Sequence, residues 1–226
     1  MEFAQAAYPT LVYVHLLLFV FWLGADAGVF MLGQEFRRRH KYELPTRLVQ
    51  LQMLVNLDMV PRTAWALMVP ISITISAGGG WWEVPAWMFW GSWVVGAAWL
   101  WLVWDAHLHD QMPRAARDRK IEWIFKIGLT LFYLWLGTAS LLTGDPIAPT
   151  WLAWKALMFG LIFAAAIMID VAFKPVGPLL GKLIAEGSSD ETEVPLLKTM
   201  NRTRIWVWIV YLMLFATAYL GNVKPI

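Results

Sequence analysis

The sequence predicts an all-α membrane protein, a polytopic bundle of six transmembrane helices with both termini on the outer side of the membrane. Of its 226 residues, 59% are hydrophobic and 15% are charged, whereas soluble domains carry about 25% charged residues. The 16 tryptophans also indicate a bilayer, because tryptophan favours the boundary between lipid and water. The lack of cysteine and the net charge of +2 exclude a disulfide-stapled secreted domain and a nucleic-acid-binding protein.

Six apolar stretches account for the predicted helices. A helix of about 20 residues crosses the roughly 30 Å hydrocarbon layer of a bilayer. The apolar runs are continuous rather than alternating with period two, which favours helices over a β-barrel. The predicted spans cover residues 9–32, 54–76, 86–104, 121–142, 151–173 and 205–220. We expect them to form a single bundle domain over residues 1–226.

The basic residues predict how the bundle is oriented. Clusters of lysine and arginine follow the first, third and fifth spans, whereas the loops at 77–85 and 143–150 contain neither. By the positive-inside rule the basic loops face the cytoplasm and both termini lie outside. The expected location is therefore a bacterial inner membrane, with the uncharged loops in the periplasm. Lys224 is the one basic residue that falls on the opposite side from this rule.

Charged side chains inside spans are functional candidates because hydrocarbon solvates them poorly. Asp26 lies in the first span, and Asp58 and Arg62 lie four residues apart in the second, on one helix face. We expect these three to form a buried charge cluster in which Arg62 neutralises Asp58 or Asp26, with a proton relay as the alternative. Lys126 is expected to reach the cytoplasmic surface or to pair with Glu122.

His15 and Lys155 are predicted to lie at similar depths below the outer surface. The first span enters near Pro9, which places His15 about 9 Å into the layer, and the fifth enters near Trp151, which places Lys155 about 6 Å in. A neutral imidazole is a good axial ligand for haem iron, and a neutral amine can also serve. This depth match predicts a metal site formed by the two side chains.

Each residue of this predicted site has a simpler interpretation. A membrane histidine is often a hydrogen-bonded packing residue, and a lysine near the surface can extend its amine into water. Trp22 or Trp154 would suit the wall of a porphyrin site, and either could equally belong to an aromatic belt at the interface. The sequence leaves both interpretations open.

Three segments resemble one known family. Helix one, VHLLLFVFWLGADAGVF (Val14–Phe30), is similar to the first helix of the HemJ-type membrane protoporphyrinogen oxidases and their copper-resistance-D-like relatives, which carries a histidine followed by W-x-x-G-x-x-F. The segment TWLAWKALMF (Thr150–Phe159) is similar to their W-L-x-x-K-L, and residues 223–225 to their closing K-P. Residues 201–204 lack the acid and the proline of the family's N-E-x-P, and residues 86–142 have no counterpart.

The resemblance implies b-type haem with His15 and Lys155 as iron ligands. We therefore expect a haem-binding redox protein that performs electron transfer or a porphyrinogen- or quinone-linked oxidation, with the haem between the first and fifth spans near the outer face. The alternatives are a non-catalytic scaffold or assembly factor, and a proton-coupled transporter that uses Asp26, Asp58 and Arg62. The expected partners are the lipid bilayer and a quinone or other redox partner, and a homodimer is compatible with the sequence.

Overall fold

The computed structural model describes residues 2–225, which form helices joined by short loops and contain no β-strand. The helices of this range are α1 (Glu2–Ala6), α2 (Tyr8–Phe36), α3 (Leu44–Leu57), α4 (Met59–Gly78), α5 (Ala86–Leu108), α6 (Pro113–Thr143), α7 (Thr150–Phe173), α8 (Val176–Glu186) and α9 (Asp190–Val223). The predicted all-α class is confirmed. Five stretches are long and apolar enough to cross a membrane: α2, α5, α6, α9 and the continuous segment of α7 and α8. Their length and composition are those of a multi-pass membrane protein.

The second predicted span, residues 54–76, is divided between two helices. α3 ends at Leu57 and α4 begins at Met59, with Asp58 between them. The division follows from Pro61, which has no backbone N–H to donate to the carbonyl of Leu57. α4 is not among the five apolar stretches. It is instead the most buried helix of the bundle and packs between α2 and α5.

The last helix is much longer than the predicted span at residues 205–220. α9 begins at Asp190, because Ser189 and Thr192 form a reciprocal capping box at its start. Three acidic side chains in its first turn favour the same end through the helix dipole. The polar segment at residues 187–193, which has the composition of a linker, is therefore largely the first turn of a helix.

The long helices follow one another round the bundle in the order α2, α4, α5, α6, α7 and α9. α9 then meets α2 through side chains, since the rings of Phe30 and Trp208 lie 5.3 Å apart and the Tyr211 hydroxyl donates to the carbonyl of Asp26 at 2.9 Å. We call the two ends of the bundle the tryptophan end, marked by the contact of Trp81 with Trp151, and the arginine end, marked by Arg47.

A buried ion pair fastens the arginine end. The Arg47 guanidinium binds the Glu193 carboxylate through two hydrogen bonds of 2.5 and 2.8 Å and donates a third, of 2.6 Å, to the carbonyl of Phe36. Both charged side chains are almost completely buried. Such two-pronged contacts are the strongest that arginine makes with a carboxylate. They tie α3 and the end of α2 to the start of α9.

Candidate functional site

A cavity of about 570 Å³ lies at the tryptophan end, enclosed mainly by α2, α4, α7 and α9. Its volume is in the range of sites that hold small molecules and cofactors. Nine aromatic side chains line it: Tyr8, Phe19, Trp22, Trp81, Trp82, Tyr133, Trp151, Phe159 and Tyr219. Within the part of the chain that the structure describes, no aspartate or glutamate lines the cavity.

The structure brings His15 and Lys155 into this one cavity, His15 from α2 and Lys155 from α7. Nδ1 of His15 is buried and has no hydrogen-bond partner. No hydrogen bond or ion pair joins Lys155 to the side chains that the structure describes, those of residues 4–225. Its amine lies against Gly221 of α9, where an added Cβ would come within 2.5 Å of Nζ.

The two tryptophans predicted to wall a porphyrin are placed differently. Trp22 is buried, lines the cavity, and contacts Trp65 and Phe159 with ring centroids 5.7 and 6.3 Å apart. Trp154 is 40% exposed on the outside of the bundle and does not line the cavity. Adjacent residues of a helix point about 100° apart, so Trp154 turns away where Lys155 turns inward. Of the two alternatives, Trp22 therefore lines the cavity and Trp154 does not, whereas Trp151 also lines it.

Three residues that line the cavity are also largely exposed. Leu16 of α2 and Tyr219 and Val223 of α9 line it, and each is more than half exposed. They belong to the two helices that meet through side chains.

A second polar region lies towards the arginine end, where five charged side chains form a chain of ion pairs that we call the charge network. Arg62 Nε lies 2.5 Å from Asp58 Oδ2, and Arg62 Nη1 lies 3.9 Å from Glu122 Oε1. Lys126 Nζ lies 3.0 Å from the same Glu122 oxygen and 2.8 Å from Asp170 Oδ2. The network thus joins the α3–α4 junction to α6 and α7.

The expected pairing of Arg62 with Asp58 is present, with Asp58 one turn before Arg62 at the start of α4. Asp26, the third member of the predicted cluster, enters no ion pair among the described residues. The side chains of Asp58 and Arg62 are partly exposed, at 26% and 39%. The two buried members are Glu122 and Lys126. They pair with each other, which was one of the two expectations for Lys126.

The contribution of Asp170 was not predicted. Its position in the sequence does contain a usable signal, because Asp170 lies near the inner end of the fifth predicted span and Glu122 near the inner start of the fourth. Residues at matched depths on consecutive spans can meet. The same argument that joined His15 to Lys155 would have joined Asp170 to Lys126.

An aromatic cluster separates the cavity from the charge network. Trp65 contacts Trp22 on the cavity side, and its ring centroid lies 5.0 Å from Trp99 and 4.7 Å from Phe163. On its other side, Lys126 Nζ lies 5.6 Å from the Trp65 ring centroid, in cation–π geometry. Trp65 is therefore in contact with both regions.

Comparison with known proteins gives no relative from which a role could be transferred. The site therefore has to be interpreted from its own residues. No protein-family model, curated protein or solved structure matches this chain.

Proposed function

We propose that this chain is a b-type haem protein of a bacterial inner membrane, oriented with both termini outside and taking part in redox chemistry. Electron transfer, or an oxidation linked to a quinone or a porphyrinogen, is the class of reaction. The observation that carries the proposal is the convergence of His15 and Lys155 in one aromatic cavity, where neither has an ion-pair partner among the described side chains. The tryptophan end is then the outer end.

The residues of the cavity fit a haem. A buried polar atom without a partner costs about 1–3 kcal/mol, and Nδ1 of His15 has no hydrogen-bond partner among the described residues, which favours a bound group that contacts this imidazole. Imidazole nitrogen is a common ligand of haem iron, and the Lys155 amine would be the second ligand. Trp22, Phe159 and Trp151 supply apolar surface to the macrocycle.

When bound, haem would supply one-electron redox chemistry at its iron. The chain itself would hold the iron through His15 and Lys155 and exclude water with its aromatic wall. Because Trp22 is packed on Trp65, the wall on that side is fixed by the core of the bundle rather than by a mobile loop. The side chains would thereby set the ligation and polarity around the group.

An absorption spectrum tests the proposal. Protein purified from haem-replete cells is expected to show a Soret band, with sharpened visible bands after dithionite reduction. His15→Ala is expected to lose the haem and Lys155→Met to shift its bands. His40→Ala is the matched control, since His40 is exposed at the arginine end. A colourless wild-type protein would overturn the proposal, and a colourless protein that co-purifies with a partner would favour a scaffold or assembly factor.

One observation supports a second candidate, proton-coupled transport. The charge network contains three acids and two bases, so it is one positive charge short of neutrality, and it lies at a helix break at Asp58. An added proton would complete the balance. Proton uptake by proteoliposomes under a pH gradient should then be abolished by Glu122→Gln, whereas unchanged uptake would eliminate this candidate.

A further inference from the structure

The last helix ends in an unusual conformation at Lys224, the basic residue that departs from the charge pattern of the loops. Lys224 has φ = 50°, and it is the one non-glycine residue in the described range with positive φ. This left-handed conformation is unfavourable for an L-residue with a side chain. It caps α9 and directs the amine between two rings of the cavity, with Nζ 5.1 Å from the Trp81 centroid and 5.2 Å from the Trp151 centroid.

Lys224 also places a positive charge at the cavity mouth. Lys155 and Lys224 both line the cavity, and Lys155 touches Gly221, one turn before Lys224 in the same helix. The carbonyl end of α9 offsets part of this charge through the helix dipole. No carboxylate among the described lining residues offsets the remainder. A cation beside apolar lining favours a bound anion.

The polar groups of the cavity also differ in how deeply they lie. Lys224 is exposed at the mouth of the cavity, whereas Nδ1 of His15 is buried. Between them the lining is mainly aromatic and aliphatic. A ligand that matches these features has an apolar body and an anionic group at one end.

We infer that Lys224 recognises a carboxylate on the edge of the proposed tetrapyrrole that faces the cavity mouth. The apolar edge enters first, towards Trp22, and the carboxylate edge stays beside Lys224. This inference rests on the proposed function, because it concerns the same cavity. It assigns Lys224 a role separate from iron ligation.

Metal-free protoporphyrin and its dimethyl ester test this recognition. The two probes share one ring, and only the first carries free carboxylates. We expect the purified full-length protein in detergent to bind the diacid about tenfold more tightly than the diester, the effect of about one charge-assisted hydrogen bond. Binding is read from porphyrin fluorescence, which requires no activity.

Variants assign the preference to Lys224. Lys224→Gln should lose about tenfold in affinity for the diacid with unchanged affinity for the diester, which removes the preference. Lys224→Arg keeps the charge and should keep the preference. Lys120→Gln is the matched control, because Lys120 is an exposed lysine at the arginine end. A variant that binds the diester normally is folded at the site, so a loss confined to the diacid reports recognition.

The outcomes separate this inference from the proposed function. The probes contain no iron, so they do not report ligation by His15. A preference that depends on Lys224, found together with failure to bind haem, would reject the haem proposal and support the inference. Haem binding with equal affinity for diacid and diester, or a preference that survives Lys224→Gln, would overturn the inference. Failure of both porphyrins to bind would overturn it too.

Discussion

The cavity at the tryptophan end and the charge network each contain a lysine, and the two lysines have opposite surroundings. Lys126 has two carboxylates within 3.0 Å, whereas Lys155 has no carboxylate partner among the described residues. Both lysines lie within helices predicted to cross the membrane. The difference is therefore not in depth or residue type but in what surrounds the amine.

This contrast distinguishes structural charges from those available to a ligand. A buried ion pair that is complete contributes to the fold, and losing one partner is costly because the other charge remains. An ionisable group without a partner contributes little to the fold and can bind something else. Trp65 keeps the two regions apart while contacting Lys126 on one side and Trp22 on the other.

The largest expected effect compares the two lysines directly. Lys126→Met leaves Glu122 and Asp170 without their shared cation and should lower the free energy of unfolding by about 3 kcal/mol. Lys155→Met removes an amine without a partner from an apolar cavity and should leave stability unchanged or raised. Thermal unfolding of both variants in the same detergent, without added ligand, measures the difference. Equal losses of stability in the two variants would contradict the distinction between a lysine held by carboxylates and a lysine available to a ligand.

The next effect concerns the seam of α6 and α7, which carries residues of both regions. Gly137 of α6 packs against the backbone of Leu157 of α7, so that a Cβ would overlap the Leu157 Cα at 2.6 Å. Gly137→Ala should therefore separate the helices and cost about 1–3 kcal/mol. Gly128→Ala on the same helix meets nothing within 4 Å and should be neutral or stabilising by up to about 1 kcal/mol. A neutral Gly137→Ala would show that the seam is looser than described.

A smaller effect on stability, with a spectroscopic signal, comes from Gly221. In Gly221→Ala the new methyl group would displace the amine of Lys155, whose flexible side chain can move at little cost. Stability should change by less than about 0.5 kcal/mol, while the visible bands of bound haem should shift. Gly181→Ala in α8, which meets nothing within 4 Å, is the control. An unshifted spectrum would argue against Lys155 as an iron ligand.

The smallest effect is expected at Trp154. Trp154→Leu changes an exposed side chain outside the cavity, and porphyrin affinity should change by less than about twofold, or ~0.4 kcal/mol. Trp151→Leu removes a buried ring from the lining and should weaken binding more. Fluorescence titration of both variants ranks them, and the reverse order would restore Trp154 as the wall.

Much of the fold could be predicted because the length of an apolar stretch is visible in the sequence without knowledge of tertiary contacts. Five of the six predicted spans lie within long helices, and the break at Asp58 is linked to a proline visible in the sequence. The long polar start of α9 and the pairing of Arg47 with Glu193 could not be predicted in the same way. Both depend on tertiary contacts, since Arg47 and Glu193 are 146 residues apart.

The sequence predicted contacts in the site that depend on depth along a helix. It did not predict contacts that depend on which face of the helix a residue occupies. Counting residues from the outer surface brought His15 and Lys155 together, because the rise per residue is constant. The choice between Trp151 and Trp154 depends on which face of α7 meets its neighbours, and continuous apolar helices have too little asymmetry to reveal that face. The pairing of Asp170 with Lys126 also follows from matched depth, since both lie near the inner ends of neighbouring spans.

The seam between α2 and α9, where exposed residues line the cavity, has a consequence for how affinity is measured. A porphyrin or another amphiphile dissolves in the bilayer, so its concentration next to Leu16 and Tyr219 is set by partitioning into lipid rather than by the aqueous concentration. A ligand that enters through this seam is delivered by diffusion in two dimensions. Its apparent dissociation constant should rise in proportion to the amount of lipid or detergent present and stay constant as a mole fraction of that phase.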